Sequence, residues 1–315
     1  MLRGRRGAII CMNPKNGEVL AIASAPDYSL KEFIGPLKTE TWNKWKEENI
    51  LVNRALRGRY GPASIYKLIA GIMFLEEKKF PINEHVFCGG EYKLEDKSRK
   101  EGFIIQRCWK EGGHGNVNLH DAIVQSCNIY FYDMILKYQK ENPYIINVLS
   151  DYANKFGFNK KTGIVLSEIS GNIPDSDYME RHHGGKYWPK RGMMPNLVIG
   201  QGDNIVSPIQ IINFINLIAT KGKTFKPKLV LNEASQMIEL DISNYVWNEI
   251  QSAMYSVVNN EKGTAYILNN NNANIYGKTG TLQLTSLNKL AYSNQNSLFA
   301  GYIEKNQEMM SIVVV

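Results

Sequence analysis

A serine and a lysine three residues apart, Ser64 and Lys67, are the first residues whose types and spacing could do chemistry. The preceding Gly61-Pro62-Ala63 indicates a helix start, and on a helix this spacing places both side chains on one face. A lysine whose pKa is lowered by burial can accept the serine proton, which makes the serine a nucleophile without a histidine. The pattern alone is weak, because Ser-x-x-Lys occurs by chance in many helices.

Two further short segments carry groups that suit the same chemistry. Ser126-Cys127-Asn128 interrupts a helical pattern, and its hydroxyl and carboxamide could pass a proton and hold an amide-bearing substrate. Lys278-Thr279-Gly280-Thr281 lies on a predicted strand, where Gly280 leaves room for a substrate to pair with the strand edge. Lys278 and Thr279 could meet a substrate carboxylate there. The three motifs are individually common, but together, at a helix start, a helix break and a late strand, they are improbable by chance.

Apolar patterns predict the elements that position these motifs. Runs at 7–12 and 18–24 flank a Pro-Asn-Gly-rich turn and are typical of a hairpin. Strands are also predicted at 275–281, 297–302 and 309–315, and helices at 65–77, 208–220, 241–260 and 118–156, the last with breaks at 126–128 and Pro143. Residues 81–116 are predicted to be loop-like, and 157–202 to be a long ordered loop bordering a cleft.

This order of elements predicts an α+β fold in which both chain ends build one antiparallel sheet around a mainly helical insertion. We expect a single domain over 1–315, with a sheet subdomain at about 1–75 and 264–315 and a helical subdomain at about 76–263. Hydrophobic residues make up 43% of the chain and charged residues 21%, which excludes collagen, coiled-coil and low-complexity classes.

The charge and the apolar runs limit the partners that we expect. The formal net charge of +7 suits an anionic surface or polymer but falls short of a nucleic-acid footprint. The sequence contains no run of 18 apolar residues and no signal-peptide pattern at its start, so we predict no membrane span within it.

Three of the four cysteines bracket a histidine. Cys88, Cys108, His114 and Cys127 follow one another at spacings of 20, 6 and 13 residues, which match no standard zinc-finger pattern. Three thiolates and one imidazole could nevertheless hold zinc tetrahedrally and fix a segment poor in secondary structure. A Cys88–Cys108 disulfide and free buried thiols are the alternatives. Cys11, in the first strand, is predicted to be a small buried hydrophobic residue.

Longer strings around the motifs resemble the penicillin-binding serine acyltransferases, which include cell-wall transpeptidases and serine β-lactamases. The likeness covers nearly the whole chain and is to the class B, rod-elongation branch called penicillin-binding protein 2. It is carried by AIICMNPKNGEVLAIASAP at 8–26, LVNRALRGRYGPASIYK at 51–67, IGQGDNIVSPIQ at 199–210 and YGKTGTLQ at 276–283. The resemblance implies the serine β-lactamase and penicillin-binding transpeptidase fold.

The resemblance implies a peptidoglycan D,D-transpeptidase that needs no catalytic cofactor. Ser64 would attack the carbonyl between the terminal D-alanines of a stem peptide, with Lys67 as general base. Release of D-alanine would leave an acyl-enzyme that an amine of a neighbouring strand resolves, and β-lactams would acylate the same serine. The resemblance further implies that Ser126 and Asn128 relay the proton and position the donor peptide. Lys278 and Thr279 would bind the terminal carboxylate, and the substrate would pair along Gly280 and Thr281. The backbone N–H groups of Ser64 and Thr281 would form the oxyanion hole.

The resemblance also implies surroundings for the enzyme. A metal beside the active site occurs in the elongation branch, and Cys88, Cys108, His114 and Cys127 fall in the corresponding region. A RodA-type glycan polymerase and the elongation complex are the implied partners, at the periplasmic face of the inner membrane. We expect this chain to lack the membrane anchor and pedestal domain, and the C-terminal helix that packs on the sheet. It also has Gly61-Pro62-Ala63-Ser64-Ile65 where the branch usually has Pro-Pro-Gly-Ser-Thr.

Other functions remain open at this point. A β-lactamase or β-lactam sensor of the same fold would differ in deacylation. Class A lactamases require a carboxylate base for water, for which Glu168 or Glu180 could be nominated, although the residues around them do not match that motif. The third hypothesis is a non-catalytic scaffold of the elongation machinery. The intact motifs argue against it. His182-His183 is read as a solvated basic loop, with contact to the substrate or acceptor strand as the alternative.

Overall fold

A computed structural model of the chain describes all residues except 1, 3, 82, 96–99, 185–192 and 284–294. Its strands are β1 (Gly7–Met12), β2 (Val19–Ala25), β3 (Val86–Cys88), β4 (Glu91–Glu95), β5 (Phe103–Arg107), β6 (Gly115–Val117), β7 (Lys223–Phe225), β8 (Met237–Glu239), β9 (Asn274–Gln283), β10 (Gln295–Lys305) and β11 (Glu308–Val314). The helices are α1 (Thr39–Glu47), α2 (Arg54–Arg57), α3 (Tyr66–Glu77), α4 (Leu119–Val124), α5 (Asn128–Glu141), α6 (Ile145–Lys155), α7 (Ser176–His183), α8 (Met194–Val198), α9 (Pro208–Ala219) and α10 (Asn244–Asn259).

Both chain ends build one five-stranded antiparallel sheet in the order β2-β1-β11-β10-β9. In β1 the side chains of Ala8, Ile10 and Met12 are buried on the face that packs on α9. Cys11 points to the other face and is only partly buried, so the prediction of a buried Cys11 is wrong, because neighbours along a strand alternate between faces. The predicted α+β sheet is confirmed, and β9 forms one of its edges.

Two buried helices form the centre of the molecule. Every residue of α3 from Tyr66 to Leu75 is buried, as is every residue of α9. The predicted start of α9 is confirmed: Pro208 is its first residue, and the backbone N–H of Ser207 donates to Gln210 Oε1 at 2.9 Å. The predicted breaks also hold, since α4 ends at Val124 and α5 begins at Asn128.

The loop-like prediction for 81–116 is wrong. β3 pairs with β6, and β4 pairs with β5, within that segment. These strands have three or five residues and expose charged side chains such as Glu91 and Glu95, so they lack an apolar run that would reveal them. The segment 157–202 likewise contains α7 and α8.

Within the described residues, no helix combines the length and the apolar character that crossing a bilayer requires. The division into a sheet subdomain and a helical subdomain stays a prediction.

Candidate active site

Ser64 lies in a 3-10 turn, Ala63–Ile65, that continues directly into α3. The turn is fixed from behind because the Ala63 N–H donates to the Gly200 carbonyl at 3.0 Å. A Cβ on Gly200 would lie 2.3 Å from the Ala63 carbonyl oxygen, so only glycine permits this approach. Ala63 itself has a φ of +48°, an unfavourable angle for a residue with a side chain. Ser64 is partly exposed on this held turn.

Lys67, one turn into α3, is completely buried. Its Nζ donates to the Ser126 carbonyl oxygen at 2.8 Å, to Ser126 Oγ at 3.2 Å and to Asn128 Oδ1 at 2.6 Å. In the part of the chain that the structure describes, none of its hydrogen bonds ends on Ser64. Burial lowers the pKa of Lys67 to about 8, although the thiols of Cys127, Cys108 and Cys88 act in the opposite direction. A usable fraction of neutral amine is therefore present near neutral pH.

Ser126 forms the turn between α4 and α5 and has a φ of +54°. Strained backbone of this kind persists where surrounding contacts enforce it. One such contact comes from Trp109, whose indole N–H lies 3.0 Å from the Gln125 carbonyl oxygen and 3.1 Å from that of Ser126. Trp109 was not predicted as a site residue; its position directly after Cys108 was the available signal.

The edge strand β9 passes directly beside the 3-10 turn Ala63–Ile65, which we name the nucleophile turn. A Cβ on Gly280 would lie 3.3 Å from Ala63 Cβ, so the strand and the turn are in close contact. Lys278 is completely buried and donates to the Thr279 carbonyl oxygen at 3.1 Å. Burial, and then the charge of Lys67, hold the pKa of Lys278 well below its usual range. Thr281, further along the strand, is exposed.

The hydroxyl of Thr279 is held from the helical side of the cleft. Its Oγ1 lies 2.7 Å from Thr264 Oγ1, and the Thr264 N–H donates to the Val124 carbonyl oxygen at 3.3 Å. Thr264 therefore connects the end of α4 to β9. Sequence reasoning missed this residue, because a threonine between α10 and β9 carries no motif of its own.

The four predicted metal ligands converge. Their donor atoms, from Cys88, Cys108, His114 and Cys127, all lie within 4.8 Å of one another. His114 Nδ1 is 3.5 Å from both Cys88 Sγ and Cys108 Sγ. Zinc held by sulfur and nitrogen at ordinary bond lengths would require sulfur–nitrogen separations of about 3.6 Å. The donor set thus fits a tetrahedral zinc ion, and all three cysteines are free thiols rather than a disulfide.

The thiols of this cluster have unequal acidity. Hydrogen bonding to Cys127 lowers the pKa values of the Cys88 and Cys108 thiols, whereas hydrogen bonding to Cys108 and Cys88 raises the pKa of the Cys127 thiol. Burial lowers the pKa of His114, but contacts with Cys108 and Cys88 outweigh it and raise the pKa overall. Cys88 and Cys108 therefore favour the thiolate form, which is the form that binds metals.

The two histidines of α7 make local contacts. His182 Nδ1 lies 2.8 Å from the Tyr178 carbonyl oxygen, and its ring stacks on that of Tyr178 at 3.9 Å. His183 Nε2 lies 2.5 Å from Asp203 Oδ2, with both side chains about one third exposed. Among the described residues, neither histidine forms a hydrogen bond with Ser64 or Lys67.

A serine on a helix-start turn, a buried lysine behind it and an edge strand alongside define an acyl-transfer site of the penicillin-binding type. The sequence matches the penicillin binding protein transpeptidase domain over residues 7–315, and the chain belongs to that family. The expected fold and family are thereby confirmed.

Individual relatives agree with this assignment. The chain is 29% identical to the peptidoglycan D,D-transpeptidase MrdA of Acinetobacter baumannii, over 100% of this chain and 48% of the relative, and 28% identical to MrdA of Escherichia coli K12, over 91% and 46%. Penicillin-binding protein PBP2 of Helicobacter pylori, solved in complex with MreC, superposes with a TM-score of 0.86 at 28% identity, over 99% of this chain and 56% of that one. PBP2 of Pseudomonas aeruginosa in complex with WCK 5153 gives 0.83 at 27%, over 99% and 69%. The chain spans about half the length of the curated relatives.

Proposed function

We propose that the chain is the catalytic part of a peptidoglycan D,D-transpeptidase that works through a serine acyl-enzyme. One observation carries the proposal. Lys67, one helical turn after Ser64, is completely buried, has a lowered pKa and donates hydrogen bonds to both Ser126 and Asn128. Such an arrangement has little structural use, because burying an amine costs free energy, but it supplies a proton acceptor beside a nucleophile.

In the first half-reaction, Ser64 Oγ would form a bond to the carbonyl carbon between the two terminal D-alanines. Its proton would pass to neutral Lys67, directly or through the Ser126 hydroxyl. Collapse of the tetrahedral intermediate would break the carbon–nitrogen bond, and the leaving nitrogen would take the proton and depart as D-alanine. The backbone N–H groups of Ser64 and Thr281 are our candidates for stabilising the oxyanion, a contribution of roughly 3 kcal/mol for each donor.

In the second half-reaction, an amine of a neighbouring stem peptide would attack the ester carbonyl. The amine proton would return through Lys67 or Ser126 to Ser64 Oγ as that oxygen leaves. β-Lactams, which mimic the dipeptide, would stop at the acyl-enzyme.

The position of β9 at one edge of the described sheet supports the proposed substrate alignment. An extended peptide can add to an edge strand through backbone hydrogen bonds, and Gly280 keeps that edge free of a side chain. Thr279 and Lys278 are our candidates for binding the terminal carboxylate. Carboxylate binding would itself favour the charged form of Lys278, whose pKa burial depresses in the free protein.

We also propose a structural zinc ion held by Cys88, Cys108, His114 and Cys127. When bound, the ion would offset thiolate charge and connect the strands of 86–117 to the helix break. Cys127 lies between Ser126 and Asn128, so the ion would fix that turn from behind without touching the substrate. Elemental analysis of protein prepared without chelators or added metal tests this: about one zinc per chain supports it, and absence of zinc with a detected disulfide contradicts it.

The proposed cellular setting follows from the relatives. We propose that the protein acts at the periplasmic face of the inner membrane with a RodA-type glycan polymerase and the elongation complex. The Helicobacter pylori relative in complex with MreC supports an elongation assembly.

A β-lactamase of the same fold is less well supported. Glu168, the buried candidate base, accepts from the Thr162 hydroxyl at 2.9 Å and from the Gly163 N–H at 2.8 Å, so both of its oxygens are engaged in its own loop. Glu180 is exposed on α7. Among the described residues, no hydrogen bond joins Glu168 or Glu180 to Ser64 or Lys67.

Incubation with a fluorescent penicillin, followed by gel and intact-mass analysis, tests the enzymatic proposal. We expect a persistent adduct that is lost in Ser64→Ala and retained in Ser29→Ala, an exposed serine at the start of a 3-10 turn. Rapid loss of label would support a β-lactamase instead. A folded wild-type protein that takes no label would support the scaffold reading.

A further inference from the structure

Trp109 combines an exposed ring with a bonded polar atom. Its side chain is among the exposed large hydrophobic groups, at 60% exposure, yet its indole N–H lies within hydrogen-bonding distance of two carbonyl oxygens at the helix break. An indole has one donor and no acceptor, so this contact uses all of its hydrogen-bonding capacity.

One of these acceptors also serves the proposed catalytic base. The Ser126 carbonyl oxygen receives the Trp109 N–H at 3.1 Å and Lys67 Nζ at 2.8 Å. A carbonyl oxygen has two lone pairs, so two donors of different kinds share this atom. The shared oxygen belongs to a residue with positive φ, whose orientation depends on such contacts.

The ring side of Trp109 faces the cysteine cluster. Its centroid lies 5.5 Å from that of His114 at an interplanar angle of 61°, an edge-to-face contact. The residue therefore touches both the proposed zinc site and the oxygen that receives Lys67.

We propose that Trp109 is a positioning residue, whose indole N–H sets the orientation and the acceptor strength of the Ser126 carbonyl toward Lys67. This inference rests on the proposed function. Trp109 touches no reacting atom; it acts by competing for the oxygen that would otherwise stabilise the ammonium form of Lys67. A weaker acceptor leaves more of the lysine neutral at physiological pH.

Loss of the indole donor has a consequence with a definite sign. The Ser126 carbonyl would bond Lys67 alone and favour its charged form, so the pKa of the lysine would rise. The other groups that act on the charge of Lys67 are Lys278 on β9 and the thiols of Cys88, Cys108 and Cys127, and the substitution replaces none of these residues. Acylation would slow at neutral pH and recover at high pH.

The test replaces Trp109 with β-(3-benzothienyl)alanine, which keeps the ring shape but has no N–H, and in parallel makes Trp109→Phe. Trp42→Phe, an exposed tryptophan on α1, is the control. The rate constant for acylation by a fluorescent penicillin is measured from pH 6 to pH 9.5, with zinc content and thermal midpoint measured alongside. We expect a rate about fivefold lower at pH 7 for both Trp109 variants, with the deficit closing as the pH approaches 9.5.

The possible outcomes distinguish the role of Trp109 from the proposed transpeptidase function. An unchanged profile, or a deficit of equal size at every pH whether or not zinc is lost, would overturn the role of Trp109. A wild-type protein that is never labelled on Ser64 would instead overturn the proposed function.

Discussion

The helix α3 and the segment 86–117, which we name the cysteine arm, both carry groups of the site but are held in different ways. In α3 every residue from Tyr66 to Leu75 is buried, so Lys67 is fixed by close packing within the core. The described strands of the cysteine arm pair only with each other, and Phe87 and Trp109 are 70% and 60% exposed. Two-stranded ladders of this length are marginal in water.

This difference assigns separate tasks to the two regions. Core packing around α3 removes water from Lys67, and that burial lowers its pKa. The cysteine arm adds little core of its own, but it supports the turn that presents Ser126 through Trp109 and through the cluster that its ligands form with Cys127. The reactivity of the base should therefore respond most to changes in α3, and stability of the turn most to changes in the cysteine arm.

The largest expected effect comes from the α3 side. Lys67→Met keeps a long apolar chain but removes the amine, and we expect the rate constant for acylation to fall about a thousandfold, within the range of general-base catalysis. Lys137→Met is the matched control, because that lysine lies on α5 in partly exposed ion pairs with Glu84 and Asp133. Stopped-flow or gel measurement of labelling decides the matter. Labelling of a folded Lys67→Met at the wild-type rate would show that another group takes the serine proton.

The next effect concerns the cluster that joins the cysteine arm to the turn at 126–128. Cys127→Ser keeps the size of the side chain but replaces a thiolate ligand, so we expect loss of most of the zinc and a thermal midpoint lower by about 5 °C or more. Cys11→Ser, outside the cluster on β1, should change neither quantity by much. Calorimetry and elemental analysis of the two variants make the comparison. Equal behaviour of the pair would mean that the arm is held without a metal.

The pH dependence of acylation tests the environment of α3 without a mutation. With a pKa of about 8, Lys67 is mostly charged and inactive as a base below that pH and mostly neutral above it. The rate should therefore rise about tenfold per pH unit from pH 6 to 7 and level off above about pH 9. A rate that is flat or falls over this range would contradict the assignment of Lys67 as the base.

The sequence predicted the parts of the site that depend on spacing within one element. Ser64 and Lys67 lie at the start of a helix, the break at 126–128 occurs as predicted, and Lys278 and Gly280 lie on an edge strand. The resemblance to the family supplied the expectation that these parts form one site. Sequence reasoning did not find contacts between distant segments, such as Trp109 on Ser126 or Thr264 on Thr279, because neither residue belongs to a repeating pattern.

The short strands of the cysteine arm escaped prediction for a different reason. Their stability comes from pairing and from side-chain convergence rather than from an apolar period, as the exposed charges of β4 show. The cluster of Cys88, Cys108, His114 and Cys127 was found because residue type, and not periodicity, marks metal ligands.

The smallest expected effect concerns the backbone of the nucleophile turn. Ala63 stands where the elongation branch usually has glycine, and its φ of +48° is one that a side chain disfavours by roughly 1–2 kcal/mol. Ala63→Gly removes this strain, but it has two costs. It loses a buried methyl group, and it makes the unfolded chain more flexible, so more conformational entropy is lost on folding. Ala70→Gly, in the interior of α3, incurs the same two losses without relieving any strain, since Ala70 is equally buried.

The difference between these two variants therefore isolates the strain at Ala63. We expect Ala63→Gly to be more stable than Ala70→Gly by about 1–2 kcal/mol in urea unfolding, because the relief of a positive φ at position 63 has no counterpart at position 70. Penicillin labelling of Ala63→Gly should stay within about twofold of the wild type, because the turn keeps its bond to Gly200. If the two variants lost equal stability, the backbone at Ala63 would be unstrained, and the alanine there would be a neutral replacement rather than a tolerated cost of presenting Ser64.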